Sequence, residues 1–332
     1  MERYIIGVDN GSQSTKIMIF DFKGQVVTQA STPLRPMIHR QEGWAEHPDD
    51  DIWESIQLIL RQVMEQFPYD PKQIVGLGLC SIRCCRVFMK ADGTLYAPIM
   101  SWMDVRSYET FEDHPEIAYT CTTTGYITYK LTGQYVDTVA NAFQWQLPVD
   151  VNTWQWSEDP AFFNSFKIPR EKLMDLKMPG EILGHVSEEA AKATGLPVGL
   201  PVVATANDKA VEALGGGMLD RSLGLVSCGT YLTAMVKGTA YVKDAQSFWT
   251  NFACVPDQYL YESNGVRYGM RHVSWFKELI GSEANAQANA QGMPLEEYLD
   301  KEAEHIKVGS NGLLIIPDWL APATELHRKD LL

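Results

Sequence analysis

Long apolar runs and an excess of positive charge are both missing from this sequence. None of its apolar stretches approaches the ~20 residues that a membrane-spanning helix needs. Its 28 lysines and arginines stand against 42 aspartates and glutamates, which gives a formal net charge of −14. Nucleic acids and anionic membranes are themselves negatively charged, so this balance argues against either as a partner.

Paired cysteines are missing too, because none of the six cysteines has the Cys-x-x-Cys spacing. They are Cys80, Cys84, Cys85, Cys121, Cys228 and Cys254. Free thiols in a reducing cytoplasm explain this pattern better than disulfides or a zinc site. A strand is predicted to begin at Tyr4, which leaves no room for a signal peptide, so we expect a cytoplasmic protein.

The length and composition are those of a globular protein with more than one core. At 332 residues the chain exceeds what one hydrophobic core usually supports, so two domains are predicted. A mean hydropathy of −0.18 with 45% hydrophobic residues indicates an ordinary globular composition.

The opening stretch predicts two short strands, Tyr4–Val8 and Lys16–Phe20, joined by a polar turn. The apolar runs IIGV and IMIF favour a sheet that is buried on both faces. The turn, DNGSQST, holds a carboxylate, a glycine, hydroxyls and an amide, a composition suited to a metal-bound polyphosphate. Gly11 would let the backbone come close, turn N–H groups would bind phosphate oxygens, and Asp9 would hold Mg²⁺ through water. An ordinary hairpin with a polar loop is the alternative, and the P-loop spacing is absent.

Polar residues also follow the next predicted strands. Ile74–Cys80 is a buried strand by composition and leads to Arg83, and a short strand from Ile99 leads to a second polar cluster. Residues just past strand ends line the ligand crevice in α/β proteins. This predicts wall positions for Arg83, Trp102, Asp104 and Arg106. The alternative is surface arginines and a core tryptophan.

Asp208 stands where another buried strand, from Leu200, runs into a short helix. An aspartate there is typically the helix N-cap, but it can also be a carboxylate at a strand tip aimed into a cleft. Further along, Leu223–Cys228 and Tyr231–Val236 repeat the strand, small polar turn and strand of the opening stretch. Their turn contains Gly229 and Thr230.

Three further elements are predicted from periodicity and composition. An amphipathic helix spans Asp51–Gln66 and is capped by Asp49 or Asp50. A last buried strand spans Leu313–Ile316. Another helix spans Gly269–Ile280 and is expected to turn three residues inward, Val273, Phe276 and Ile280.

Seven motifs in order carry a resemblance to a known family. They are DNGSQSTK, GWAEHPDD, GLCSIR, SWMDVR, YKLTG, ATANDKAVEALGGG and SCGTY, and the match as a whole spans residue 4 to about 320. In this order the sequence resembles the FGGY carbohydrate kinases, among them glycerol kinase, xylulokinase and ribulokinase. The resemblance implies an α/β protein of two RNase H-like domains of the actin, Hsp70 and hexokinase superfamily. It would place the domains at residues 1–218 and 222–332, with the second incomplete.

The resemblance also implies ATP and Mg²⁺ as cofactors and assigns roles by position. Asp9 would hold Mg²⁺, and Asp208 matches the family's catalytic base, which also contacts the substrate. The remaining ATP phosphate contacts would come from Gly11, Ser12, Gln13 and Lys16, and from Gly229 and Thr230 of the second domain. Substrate contacts would come from Arg83, Cys84, Trp102 and Asp104. Arg83 with Cys84 matches neither glycerol kinase nor xylulokinase, so the resemblance does not identify the sugar or polyol. It also leaves open whether the protein forms a homodimer.

Two departures from the family pattern produce competing hypotheses. Only 126 − 106 − 1 = 19 residues separate Arg106 from Tyr126, which indicates an internal deletion. Only 332 − 208 = 124 residues follow Asp208, about half of what the second domain needs, and the segment that holds adenine is missing. The first hypothesis is an ATP-dependent sugar kinase, and the second a truncated, inactive product with at most weak ligand binding. A third, an Hsp70- or actin-like ATPase that acts on protein, is disfavoured because their partner-binding segments are absent.

Overall fold

The computed structural model describes residues 2–142, 147–229, 231–243, 245–266 and 269–314. The chain divides into two compact units. The first consists of Met1–Leu223, Lys237–Lys243 and Thr250–Leu260, and the second of Gly224–Val236, Asp244–Trp249 and Tyr261–Leu332. The domain boundary at residues 218–222 stays a prediction.

Strands and helices are interspersed along the chain. The strands are β1 Tyr4–Asn10, β2 Ser14–Asp21, β3 Val26–Pro33, β4 Ile74–Ser81, β5 Val87–Met89, β6 Tyr119–Cys121, β7 Val136–Thr138, β8 Val149–Asp150, β9 Gln155–Trp156, β10 Asp175–Lys177, β11 Ile182–His185, β12 Pro201–Asn207, β13 Gly224–Cys228, β14 Leu232–Gly238, β15 Phe248–Phe252 and β16 Tyr259–Ser263. The α-helices are α1 Asp51–Gln66, α2 Thr123–Thr132, α3 Val139–Ala142, α4 Pro160–Ser165, α5 Glu188–Thr194, α6 Asp208–Gly215, α7 Gly269–Leu279, α8 Gly281–Ala290 and α9 Leu295–Ala303.

A six-stranded sheet forms the centre of the first unit, in the order β11-β12-β4-β1-β2-β3. Strands β1 and β12 flank β4 and run parallel to it, whereas β2, β3 and β11 add antiparallel edges. Three parallel neighbours direct their carboxyl ends to one edge of the sheet, which is where ligands bind in α/β proteins. This edge therefore holds the candidate site.

The core lies on one face of this sheet, under α1, α2 and α5. Tyr4, Ile6 and Val8 of β1 are buried there, together with the apolar stripe of α1. The intervening Ile5 is 43% exposed, so the prediction of a sheet buried on both faces is wrong for this strand. Alternation with period two places the two sets of side chains of β1 on opposite faces, and the core helices pack against the face that holds Tyr4, Ile6 and Val8.

Helix α1 has the predicted bounds, but its N-cap differs in detail. Asp50 occupies the N-cap position without making a side-chain capping hydrogen bond. Its carboxylate instead accepts a hydrogen bond from the hydroxyl of Tyr126 at 2.6 Å and lies 3.5 Å from the ammonium of Lys130. Asp50 thus ties α1 to α2.

A four-stranded sheet has the order β13-β14-β16-β15, with β13 antiparallel to β14. Helix α7 lies close to the predicted position, but Val273 is 37% and Phe276 42% exposed, so the expected inward face is wrong for these two residues. Of the predicted strand Leu313–Ile316, the first two residues are not in a strand and the last two lie outside the described residues. No described helix is both long and apolar enough to cross a membrane.

Candidate active site

Three polar residues end the parallel strands side by side. Asn10 of β1 and Asn207 of β12 both align with Ser81 of β4, and all three are fully buried. Oγ of Ser81 donates a hydrogen bond to Oδ1 of Asn10 at 2.9 Å. Nδ2 of Asn10 donates to Oγ1 of Thr15 at 2.9 Å, and Thr15 in turn bonds to Oγ of Ser55 in α1 at 2.7 Å. The strand tips are thus fixed by a network of buried hydrogen bonds, which makes them a rigid floor.

Asp9 lies on the open face of the same strand tips. It is exposed, and across the sheet it is aligned with Lys16 of β2 on one side and Cys80 of β4 on the other. The turn that follows is shorter than the predicted one, because Asp9 and Asn10 belong to β1 and Ser14 begins β2. A carboxylate, a lysine and the turn backbone thus come together at one end of the hairpin.

The turn itself consists of Gly11, Ser12 and Gln13. N–H of Gly11 donates to the carbonyl of Ser14 at 3.0 Å, which closes the hairpin. A Cβ added at Gly11 would lie 3.5 Å from that carbonyl, an ordinary contact, and the glycine φ is not positive. The fold therefore does not require glycine here, and the close approach of a ligand remains the predicted reason for it.

The pKa of Asp9 reflects a cluster of charged groups. Neighbouring protein displaces water from this carboxylate and raises its pKa. Lys16 and Lys209 act in the opposite direction, while Asp208 and Glu212 raise the pKa further. Asp9 therefore lies within electrostatic range of the charged residues in the first two turns of α6. The structure thus brings Asp9, Lys16 and Asp208 into one region.

Asp208 is the first residue of α6 and is not its cap. Asn207 is the N-cap, and its Oδ1 accepts a hydrogen bond from N–H of Ala210 at 3.1 Å. The alternative in which Asp208 caps the helix is therefore wrong. Oδ1 of Asp208 is buried and has no hydrogen-bond partner among the described residues, and Nε of Arg83 lies 3.9 Å away. A buried oxygen without a partner is costly, so this geometry is typical of an atom that meets a ligand.

Cys84 follows Arg83 in the loop after β4 and is buried, with a φ of 61°. Few residues other than glycine adopt this left-handed region, so the surrounding structure must hold this turn of the chain. Cys80 and Cys85 are buried within electrostatic range of Asp208, and burial raises the pKa of both thiols. Burial also raises the pKa of Cys254 to about 12. These three residues are neutral thiols at neutral pH.

The structure places Asp104 in a closed network. It has no exposed surface, and its two oxygens accept hydrogen bonds from N–H of Ala45 and from the backbone and guanidinium of Arg106, at 2.6–2.9 Å. Arg106 also donates to Glu46 at 2.7 Å and stacks on Trp44, 3.5 Å from the ring centroid. A substrate contact by Asp104 would require this network to open. Trp102 is partly buried and packs against the main core, and its contact with substrate stays a prediction.

Gly229 lies directly after β13 in the second unit, where its carbonyl accepts a hydrogen bond from N–H of Met270 at 3.0 Å. Thr230 lies outside the described residues. The phosphate contacts of both remain predictions.

Sequence reasoning missed Lys209 and Glu212. They form an ion pair of 2.9 Å on α6, three residues apart, and both act on Asp9. The signal was present, because a lysine directly follows the candidate base and a glutamate follows one helical turn later.

Binding of Mg²⁺ in this region would not require several protein carboxylates. Among the described residues no group of three or more His, Cys, Asp or Glu side chains is arranged to hold a metal ion. Mg²⁺ usually keeps several waters and is held by one or two carboxylates plus substrate phosphates. The single exposed carboxylate of Asp9 fits this mode of binding.

Solved structures of sugar kinases share this fold. A xylulose kinase from Rhodospirillum rubrum has a TM-score of 0.78 at 22% identity, with 99% of this chain and 71% of that chain covered. A gluconate kinase from Lactobacillus acidophilus has the same TM-score at 19% identity, with 96% and 68% covered. This chain thus has the mixed α/β fold of these kinases.

Sequence comparison is more specific. The profile of the N-terminal domain of the FGGY family of carbohydrate kinases matches residues 4–119 and 112–215. An uncharacterised sugar kinase of Escherichia coli K12, YgcE, is 44% identical over 333 residues, which cover 100% of this chain and 67% of the relative. The chain belongs to the FGGY family of carbohydrate kinases. Autoinducer-2 kinases of E. coli are 24% identical over 356 residues, and the chain spans about two thirds of the length of these relatives.

Proposed function

We propose that this protein transfers the γ-phosphoryl group of ATP to a hydroxyl of a sugar or polyol, with Asp208 as general base. The observation that carries this proposal is the buried Oδ1 of Asp208, which has no hydrogen-bond partner among the described residues and lies at the tip of a strand beside Arg83, within electrostatic range of Asp9. Family membership supplies the reaction class.

The acceptor hydroxyl would lie against Asp208. The carboxylate accepts the hydroxyl proton and aims the oxygen at the γ-phosphorus, which is the work of the base in phosphoryl transfer. Asn207 fixes this carboxylate, because it caps α6 from the buried floor of the site. Arg83 would donate to another oxygen of the same substrate. Its side chain is only 14% exposed, so its position is largely set by the protein.

The phosphates would lie over the hairpin. Asp9 would hold Mg²⁺, which when bound neutralises phosphate charge, while Lys16 and the N–H groups of Ser12 and Gln13 bind phosphate oxygens next to Gly11, whose own N–H closes the hairpin.

The test compares wild-type protein with Asp208→Asn, using Mg-ATP, a panel of polyols, ketoses and aldonates, and ADP release as the readout. The amide cannot accept the proton, so kcat should fall about 100- to 10,000-fold. Asp175→Asn, an exposed aspartate on β10, is the matched control and should leave the rate unchanged. Unaltered turnover by Asp208→Asn would reject the role of this residue.

Calorimetry with Mg-ATP tests the competing reading of an inactive, weakly binding chain. Sub-millimolar binding would contradict that reading. Absence of both binding and turnover across the panel would overturn the kinase proposal.

A further inference from the structure

Lys209 is a second cation beside the candidate base. It directly follows Asp208 in the first turn of α6, and its side chain is only 14% exposed. Nζ lies 2.9 Å from Oε2 of Glu212, one turn further along the helix. The ammonium is thus held at the edge of the site by a partner that is itself 40% exposed.

Helix stability does not explain a lysine at this place. The N-terminal end of a helix carries partial positive charge, so cations in the first turn are unfavourable. The pair also has the less favourable orientation, because the lysine precedes the glutamate. The ion pair is partly solvated, and such pairs contribute little to stability.

The position of Lys209 connects it both to the proposed base and to the proposed metal carboxylate. It is bonded in sequence to Asp208, which would hold the acceptor oxygen. It is also one of two lysines, with Lys16, whose charge lowers the pKa of Asp9, the proposed metal carboxylate. In an in-line transfer the γ-phosphoryl group lies between the acceptor oxygen and the metal-bound phosphates.

We propose that Lys209 leaves Glu212 and binds the γ-phosphoryl oxygens of ATP, where it stabilises the charge that develops during transfer. This inference rests on the proposed function. In the step itself, Asp208 takes the proton of the acceptor hydroxyl, whose oxygen forms a bond to the γ-phosphorus. The bond from that phosphorus to the β–γ bridging oxygen breaks, and ADP leaves with the electron pair. Lys209 keeps its proton throughout.

The test exploits the difference between ATP and ADP, since only ATP carries the γ-phosphoryl group. Lys209→Met should weaken Mg-ATP binding about tenfold and leave Mg-ADP binding within about twofold, as calorimetry would measure. Its kcat should fall about 100-fold, as for other donors to a developing anion, and Lys209→Arg should restore most of the loss. Lys23→Met, an exposed lysine in the turn after β2, controls for the change in net charge.

Equal losses for ATP and ADP, or no loss of ATP affinity and rate, would overturn the role of Lys209. That result is distinct from failure of the proposed function, which appears as full activity of Asp208→Asn. If the wild-type protein binds no Mg-ATP, both the proposed function and this inference are rejected.

Discussion

Asn207 and Asn251 exchange two side-chain hydrogen bonds in a fully buried pair. Nδ2 of Asn207 donates to Oδ1 of Asn251 at 3.0 Å, and the reverse bond is 3.2 Å long. Asn207 also donates to the carbonyl of Ala140 at 3.0 Å and caps α6. Asn207, the helix cap directly before Asp208, is therefore itself held from three sides.

Replacing Asn207 should cost more stability than replacing Asn251. Asn207→Ala removes the cap of α6 and leaves buried groups of two other residues unpaired, an expected loss of about 2–4 kcal/mol in the free energy of unfolding. Asn251→Ala keeps the cap and the bond to Ala140, so about 1–2 kcal/mol is expected. Urea unfolding of both variants measures the difference. Equal losses would contradict the central position of Asn207.

The local features of this site could be predicted from the sequence, and its long-range pairings could not. The strands around Asp9 and the strand leading to Asp208 follow from short apolar runs ended by polar residues. Asn207, which caps α6 in place of Asp208, is also hydrogen-bonded to Asn251, which lies 44 residues away in sequence. The sequence predicts that Asp104 lines the ligand crevice. In the structure it is held instead by Arg106, which also pairs with Glu46, 60 residues away in sequence. Side-chain partners at such separations leave no periodic signal.

The predicted inward face of α7 illustrates a second limit. Periodicity correctly places Val273 and Phe276 on a helix. It shows which residues share a face, but not what packs against that face. Both side chains are exposed in the structure.

Two glycines in helices should respond in opposite ways to alanine. A Cβ at Gly125 of α2 would lie 2.7 Å from Oδ2 of Asp137, a buried carboxylate held by Thr122 and Thr138. The carboxylate cannot move away, so Gly125→Ala should lose about 1–3 kcal/mol. Gly215 of α6 has no atom within 4 Å of such a Cβ, so Gly215→Ala should gain up to about 1 kcal/mol. Thermal unfolding of the two variants would show shifts of opposite sign, and two stabilised variants would contradict the contact at Gly125.

His47 should make folding sensitive to acid. It is 1% exposed, neither ring nitrogen has a hydrogen-bond partner among the described residues, and burial lowers its pKa from 6.5 to about 4. Asp51 raises this pKa only in part. Between pH 6.5 and 4 the unfolded chain binds the proton and the folded chain does not, so stability falls as the pH falls through this window. The loss attributable to His47 is about 3 kcal/mol by pH 4.

The variant His47→Met isolates this contribution from that of the carboxylates, which also titrate in acid. Methionine has a similar volume and no titratable group. Urea unfolding at several values between pH 7 and 4 should give a shallower decline for the variant than for wild type. Parallel declines would show that His47 does not titrate in this window.

The alkylation rate of Cys228 would test the predicted phosphate turn of the second unit. It is exposed and precedes Gly229, whereas Cys80, Cys84, Cys85 and Cys121 are buried and Cys254 is partly so. Iodoacetamide should therefore label Cys228 first, and Cys228→Ser should abolish this fast reaction. If Gly229 and Thr230 contact ATP phosphates, saturating Mg-ATP should slow the alkylation about tenfold or more, because the bound phosphates cover the adjacent turn. Mass spectrometry of the labelled peptide measures the rate. An unchanged rate, at a nucleotide concentration that calorimetry shows to be saturating, would remove this turn from the phosphate site.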